Sequence, residues 1–199
     1  MKKTLLSILS IMLVGTVSQS AFAQDNSTDN HDVGLTIPEV ALLDLEKTGG
    51  DLDITLTFTA PNEAGEKLDF STASTTDEVW LNYSSIVGVS GVSVTSRKVT
   101  VKASPSISTF PADLKVIAAA DASNGDGTIG TPTAAVTLTD SDQDLITGIG
   151  SAYTGTGPGN GHKLTYTVAA KTGGDYADLR YGTEKVTVTY TLSDDTVAL

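Results

Sequence analysis

The sequence predicts an all-β protein with a single antiparallel β-sandwich domain of immunoglobulin-like or pilin-like type. Apolar and polar residues alternate with a period of two in many short segments after residue 33, which is the period of a strand with one buried face. Clusters of Gly, Asn, Asp and Pro separate these segments and are typical of turns. No segment beyond the first 23 residues shows a sustained helical period. A closed β-barrel is the alternative architecture.

The first 23 residues have the three parts of a secretory signal peptide. Lys2 and Lys3 are followed by an apolar run at residues 5–14 and by an Ala-Phe-Ala cleavage site at residues 21–23. The apolar run is shorter than the roughly 20 residues that span a bilayer. We therefore expect an exported protein, located in the periplasm, on the cell surface or outside the cell, whose mature chain begins at Gln24.

A polar arm and a short apolar segment are expected at the start of the mature chain. Residues 24–32 are wholly polar and predict a flexible arm, because they cannot bury enough surface to become ordered. The next segment alternates cleanly through Val33, Leu35 and Ile37 and predicts a strand. A short strand on a polar tether can pair with its own sheet or with that of a neighbour. These three residues are the predicted assembly site.

The domain at residues 33–199 contains further predicted strands. Alternating segments lie at residues 40–45, 52–58, 79–84, 98–102, 114–118, 134–139, 163–168 and 186–192. Threonine recurs on their polar faces, where its branched carbon fits a pleated surface. One core is expected to contain Leu52, Ile54, Leu56, Val186, Val188 and Tyr190. Trp80 and Tyr83 are expected to anchor that core.

The composition excludes several classes of function. The chain has 12 basic and 24 acidic residues and a net charge of −12, so nucleic acids and anionic membranes are disfavoured as partners. It contains no cysteine, which removes disulfides, thiol catalysis and cysteine metal sites. It has only two histidines and neither a Gly-x-Ser-x-Gly nor a His-Glu-x-x-His motif. The sequence therefore predicts a protein that is not an enzyme.

Three carboxylates at alternate positions form the main candidate metal site. Asp140, Asp142 and Asp144 offer hard oxygen ligands of the kind that calcium prefers. The series is not an EF-hand, because Leu145 and Ser151 stand where Gly and Glu are needed. A solvated acidic turn is the favoured interpretation, calcium binding is the alternative, and no cofactor is predicted.

The most unusual segment is the glycine-rich stretch at residues 148–162. It lacks the Gly-Lys-Ser/Thr ending of a phosphate-binding loop. It is either a long surface connection or a binding or assembly loop that presents Tyr153 and His162. Upstream, residues 124–127 read Asn-Gly-Asp-Gly and match the middle of a calcium loop, but Ala122 and Thr133 stand where its two strongest ligands are needed. A hairpin turn is therefore the favoured interpretation of these residues.

Two resemblances accompany these patterns. Residues 145–157 (LITGIGSAYTGTG) and 161–166 (GHKLTY) resemble a pattern in an uncharacterised family of small exported all-β proteins of Bacteroidetes. More loosely, the chain resembles chaperone–usher fimbrial subunits, which are small exported β-sandwiches with an N-terminal arm and a final alternating strand. It departs from many of these by lacking a cysteine pair and by continuing past its last strand with residues 193–199.

Together these features predict a non-catalytic exported structural or surface protein. It would be a filament or fimbria-like subunit or an adhesion component that assembles by pairing of β-strands, with a second copy or a cell-surface or polysaccharide partner. The alternative is a secreted module that binds carbohydrate or calcium through residues 140–144 and 148–162.

Overall fold

The computed structural model describes residues 28–89, 94–104, 112–122 and 124–195. The predicted signal peptide, Gln24 and the first part of the predicted arm lie outside these residues. The chain divides into two compact units, Met1–Thr36 and Ile37–Leu199. In the first unit, residues 28–36 are exposed and have no regular secondary structure. No helix in the described parts of the chain is long and apolar enough to cross a membrane.

The regular secondary structure described in the second unit is almost entirely β-strand. Its described residues form β1 (Val40–Lys47), β2 (Val79–Ile86), β3 (Arg97–Ser104), β4 (Ala112–Asp121), β5 (Asp126–Gly127), β6 (Thr131–Pro132), β7 (Val136–Thr137), β8 (Gln143–Ile149), β9 (Ala152–Tyr153), β10 (His162–Ala170) and β11 (Thr187–Asp194). Two single-turn 3-10 helices occupy Phe70–Thr72 and Tyr176–Asp178.

The strands form two open antiparallel sheets. In the first, the order is β5-β9-β2-β10-β4-β7, and β1 pairs with β2 along its full length. In the second, the order is β11-β3-β8-β6. The predicted β-sandwich is confirmed, and the described strands form no closed barrel. The finer assignment to an immunoglobulin-like or pilin-like sandwich stays a prediction.

A single apolar core joins the two sheets. Strand β2 shows how the sequence builds it, because Val79, Leu81 and Tyr83 alternate and are only 2%, 0% and 3% exposed. The same cluster takes in residues of β3, β4, β8 and β10, so the inner faces of both sheets are removed from water together. Trp80 is only half-buried on the other face of β2, so its predicted role as a core anchor is wrong, whereas that of Tyr83 is confirmed.

The predicted strand at residues 52–58 is absent. Residues 48–78 form an irregular connection in which Thr57 and Ser74 make an isolated bridge. Leu52 is 48% exposed, while Ile54 packs against the core in the company of Val188 and Tyr190. Alternation reports burial on one side rather than strand pairing. Here β1 and β2 pair directly with each other, so the segment between them has no strand beside it.

Two other predicted strands also differ from the structure. The segment with Val33, Leu35 and Ile37 has no regular secondary structure, because no strand pairs with it in the described residues. The strand predicted at 134–139 is reduced to the two residues of β7. The remaining segments coincide with β1, β2, β3, β4, β10 and β11.

Candidate functional site

The glycine-rich segment does not bring Tyr153 and His162 to one exposed surface. Tyr153 lies on β9 opposite Ser84 and is 53% exposed. His162 is the first residue of β10 and is 0% exposed. A place for His162 on an exposed ligand loop is therefore wrong, because the strand begins one residue after the last glycine of the segment.

His162 belongs to a buried polar link inside the sandwich. Its Nδ1 donates a hydrogen bond to the carbonyl oxygen of Ala119 at 2.8 Å, and its Nε2 lies 3.0 Å from the hydroxyl oxygen of Tyr83. The two rings are stacked with centroids 5.6 Å apart. Burial lowers the pKa of His162 below its ordinary value, and the hydrogen bond to Ala119 and the negative charge of Asp121 oppose this shift. The imidazole is therefore a neutral structural group at pH 7.

The loops around this link are held by very close backbone contacts. A Cβ atom at Gly125 would lie 1.9 Å from the carbonyl oxygen of Tyr153, and one at Gly127 would lie 2.2 Å from that of Ser151. A Cβ atom at Gly161 would lie 2.3 Å from the carbonyl oxygen of Leu81. These glycines are required because only a residue without Cβ permits such an approach.

The prediction of a hairpin turn at residues 124–127 is wrong. This segment bends at Gly125 and supplies strand β5, which pairs with β9. The glycines of these Asn-Gly and Asp-Gly pairs therefore let two backbone segments approach each other closely, and they do not form the turn of a hairpin.

Two of the three candidate calcium ligands are paired with lysines instead of converging on one point. Asp144 is part of β8 and lies 3.0 Å from the ammonium of Lys98, and Asp142 lies 3.5 Å from that of Lys102. Asp140 is exposed in the preceding turn. In the part of the chain that the structure describes, no three His, Asp or Glu side chains converge so that they could hold a metal ion.

Arg97 is a buried cation that sequence reasoning missed. Its side chain, on β3, is inside the sandwich, and the residue is 1% exposed. One guanidinium nitrogen donates to the carbonyl oxygens of Val40 and Ile86 at 2.7 and 3.1 Å, and to the hydroxyl of Ser85 at 3.1 Å. Arg97 therefore joins the second sheet to β1 and β2 of the first. The available signal was a basic residue in phase with the buried Val99 and Val101.

Arg97 also joins two segments that are far apart in the sequence. Its Nε donates to the carboxylate of Asp194 at 3.1 Å, and its remaining nitrogen pairs with the carboxylate of Glu39. Glu39 immediately precedes β1, and Asp194 is the last residue of β11. The point where the chain enters the sandwich therefore lies beside the end of the last strand.

The predicted assembly segment is exposed along its whole length. Val33, Leu35 and Ile37 are 75%, 89% and 75% exposed. Strands β1 and β11 belong to the same unit as Ile37. Among the described residues, each of them pairs with a neighbouring strand along one edge only. From Thr187 to Ser193, β11 carries no charged residue and no proline, so it lacks two of the common protections of an edge strand.

Comparison with known proteins does not place this chain in a family. No protein-family model, no curated protein and no solved structure matches it.

Proposed function

We propose that the mature protein is a non-catalytic exported structural or surface protein that self-associates by pairing of β-strands. The observation that supports this proposal is the exposure of Val33, Leu35 and Ile37, which are 75%, 89% and 75% exposed in a segment without secondary structure. Three adjacent alternating apolar side chains in water are unfavourable, because each gains roughly 1.5–3 kcal/mol when it is fully buried. A strand edge on a second copy would bury one face of the segment and satisfy its backbone.

The edge of β11 is the best acceptor that the described strands offer. It is eight residues long and uncharged until Asp194, whereas β1 carries Asp44, Glu46 and Lys47. Charged side chains on an edge strand discourage pairing with another chain. An extended segment of five residues spans about 17 Å, so residues 33–37 would fit along β11 without reaching its charged end. The resemblance to fimbrial subunits and the predicted export signal agree with a subunit of this kind.

The test is the oligomeric state of the mature chain from Gln24 onward. We expect size-exclusion chromatography with light scattering to show oligomers that grow with concentration, and negative-stain imaging to show linear assemblies. A chain that lacks residues 24–37 should remain folded and elute as a monomer. A mature chain that stays monomeric at millimolar concentration would contradict the proposal. A truncated chain that unfolds would show that the segment serves its own sheet.

Substitutions distinguish the contribution of the apolar side chains to self-association from that of the polar arm. Replacement of Val33, Leu35 and Ile37 by Ser should abolish the oligomers, because the segment then gains little by burial. The matched control replaces Asp29, Asn30 and Asp32 by Ser and should leave them intact. Equal loss in both triple variants would count against pairing through the apolar residues.

A further inference from the structure

Two short turns of the second unit have the same construction. In each, an aspartate caps a single turn of 3-10 helix whose first residue is aromatic, so Asp69 precedes Phe70 and Asp175 precedes Tyr176. In both turns, the capping carboxylate accepts a hydrogen bond at 2.9 Å from the backbone N–H two residues ahead. The two rings are therefore carried by capped turns rather than by unsupported loops.

An open depression of about 420 Å³ is lined by both turns and by the end of β10. The hydroxyl oxygen of Tyr176 accepts a hydrogen bond from the backbone N–H of Leu68 at 3.0 Å, which links the two segments that line it. Tyr176 nevertheless remains 52% exposed. Phe70 is anchored by an edge-to-face contact with Phe58, with ring centroids 5.9 Å apart. Tyr176 thus presents an aromatic surface whose position is fixed before any ligand arrives.

A second open depression of about 610 Å³ shares Lys67 and Asp69 with the first. Most of its other lining residues are polar, including Thr59, Asn62 and Glu66. Each volume is within the range of about 300–1,000 Å³ that small-molecule sites occupy. Because the two depressions meet at shared residues, they can accommodate an extended ligand of several units.

The charges that line the two depressions balance. Lys67 and Lys171 are matched by Glu66 and Asp69, whereas the whole chain carries a net charge of −12. A polyanion would gain nothing locally and would be repelled by the rest of the surface. The balanced lining favours an uncharged ligand with many hydroxyl groups, which can both donate hydrogen bonds to carboxylates and accept them from ammonium groups.

We propose that these adjoining depressions bind a neutral oligosaccharide chain, with one sugar ring packed on the face of Tyr176. The negative face of an aromatic ring attracts the weakly positive C–H groups on the flat side of a pyranose. The polar residues on either side then hydrogen-bond the hydroxyl groups at its rim. The lining of this site includes neither residues 33–37 nor the glycine-rich segment, so it can be tested independently of self-association.

Affinity electrophoresis of the mature chain is the test. Native gels that contain xylan, mixed-linkage β-glucan or α-mannan are compared with a gel without polysaccharide and with one that contains alginate, a polyanion. We expect retardation in at least one neutral gel and none in alginate. Tyr176→Ala should weaken the binding about tenfold or more because the stacked ring is lost. Tyr176→Phe keeps the ring and should bind within about threefold of the original.

The matched control is Tyr181→Ala, which removes a fully exposed tyrosine of the same connection and should leave the retardation unchanged. Thermal melts of each variant establish that it is folded, and Tyr176→Phe keeps the test valid if Tyr176→Ala does not fold. Migration unchanged in all three neutral gels would overturn the proposal. So would retardation in alginate alone, or equal losses for Tyr176→Ala and Tyr181→Ala.

Discussion

At the end of the sandwich where β1 begins, the loops at residues 124–130 and 147–161 pack so closely that several positions accept only glycine. Buried polar groups are gathered there as well, including Arg97 and His162. At the opposite end, where β1 ends, the connections at residues 48–78 and 171–186 are largely exposed. We call these the glycine-rich end and the open end.

An unusual composition is a poor guide to which end of this sandwich offers an accessible surface. The glycines of the first end are used for close packing, and they leave His162 inaccessible. The open end has an ordinary composition but carries fixed aromatic turns and open depressions. Binding residues are commonly placed on exposed connections that a rigid scaffold positions.

The largest effect should come from Arg97 at the glycine-rich end. Arg97→Met leaves the acceptors on Val40, Ser85 and Ile86 buried without their donor, and we expect the free energy of unfolding to fall by about 3–5 kcal/mol. The control is Lys102→Met on the same strand, which breaks only a partly exposed ion pair and should cost at most about 1 kcal/mol. Urea denaturation measures both. Similar losses would show that Arg97 does not hold the sheets together.

The close backbone packing can be tested with two glycines in similar left-handed conformations. Gly161 has φ of 67° and Gly157 has φ of 87°, so an alanine at either position costs about 1–2 kcal/mol for the backbone alone. Only Gly161→Ala also clashes with the carbonyl of Leu81. It should therefore destabilise the protein by about 1–3 kcal/mol more than Gly157→Ala does. Equal melting temperatures would show that the loop yields freely.

A smaller, pH-dependent effect is expected from His162. Its pKa is lowered by burial in the folded state, so as the pH falls the unfolded chain binds the proton first. Stability should therefore decline below about pH 6.5, by at most about 1.4 kcal/mol per pH unit, and this decline should stop below the folded-state pKa. His162→Gln should remove this component from denaturation curves measured between pH 5 and 7.5.

The control for the pH effect is His31→Gln, because His31 is exposed and lies outside every strand. That variant should retain the original slope of stability against pH. If both histidine variants keep the slope, the decline arises from carboxylates and not from the buried imidazole.

The smallest effect should appear at the open end. Leu52 is 48% exposed in an irregular segment, so Leu52→Ala should cost less than about 1 kcal/mol. The same truncation at Leu81, which is 0% exposed in β2, should cost about 2–5 kcal/mol. A comparable loss at Leu52 would mean that the open end is as tightly packed as the core and would remove the contrast between the ends.

The sequence predicted correctly the strands in which the alternating residues face the core and the backbone also pairs with a neighbouring strand. In β2, Val79, Leu81 and Tyr83 give this signal directly, and the same holds for β10 and β11. Alternation failed at residues 52–58, because it describes one-sided burial and contains no information about the neighbour of a strand. The same limit applies to residues 33–37.

The candidate sites could not be predicted in detail, because they are formed by contacts between segments that are distant in the sequence. The acceptors around Arg97 come from β1 and β2, and no local pattern announces them. Glycine suits both an open loop and a tight backbone approach, so residues 148–162 could not be assigned before their neighbours were known. The link between Tyr176 and Leu68 joins residues 108 positions apart and was equally invisible.

The contacts of the Arg97 guanidinium bear on whether the order of segments in the chain can be changed. Because it holds Glu39 and Asp194 at once, the residues at which the chain enters and leaves the sandwich meet at one side chain. Neighbouring chain ends are the usual condition for circular permutation. A permuted chain that joins residue 195 to residue 39 through a short linker, and opens at the exposed turn at Gly173, should therefore fold into the same two sheets.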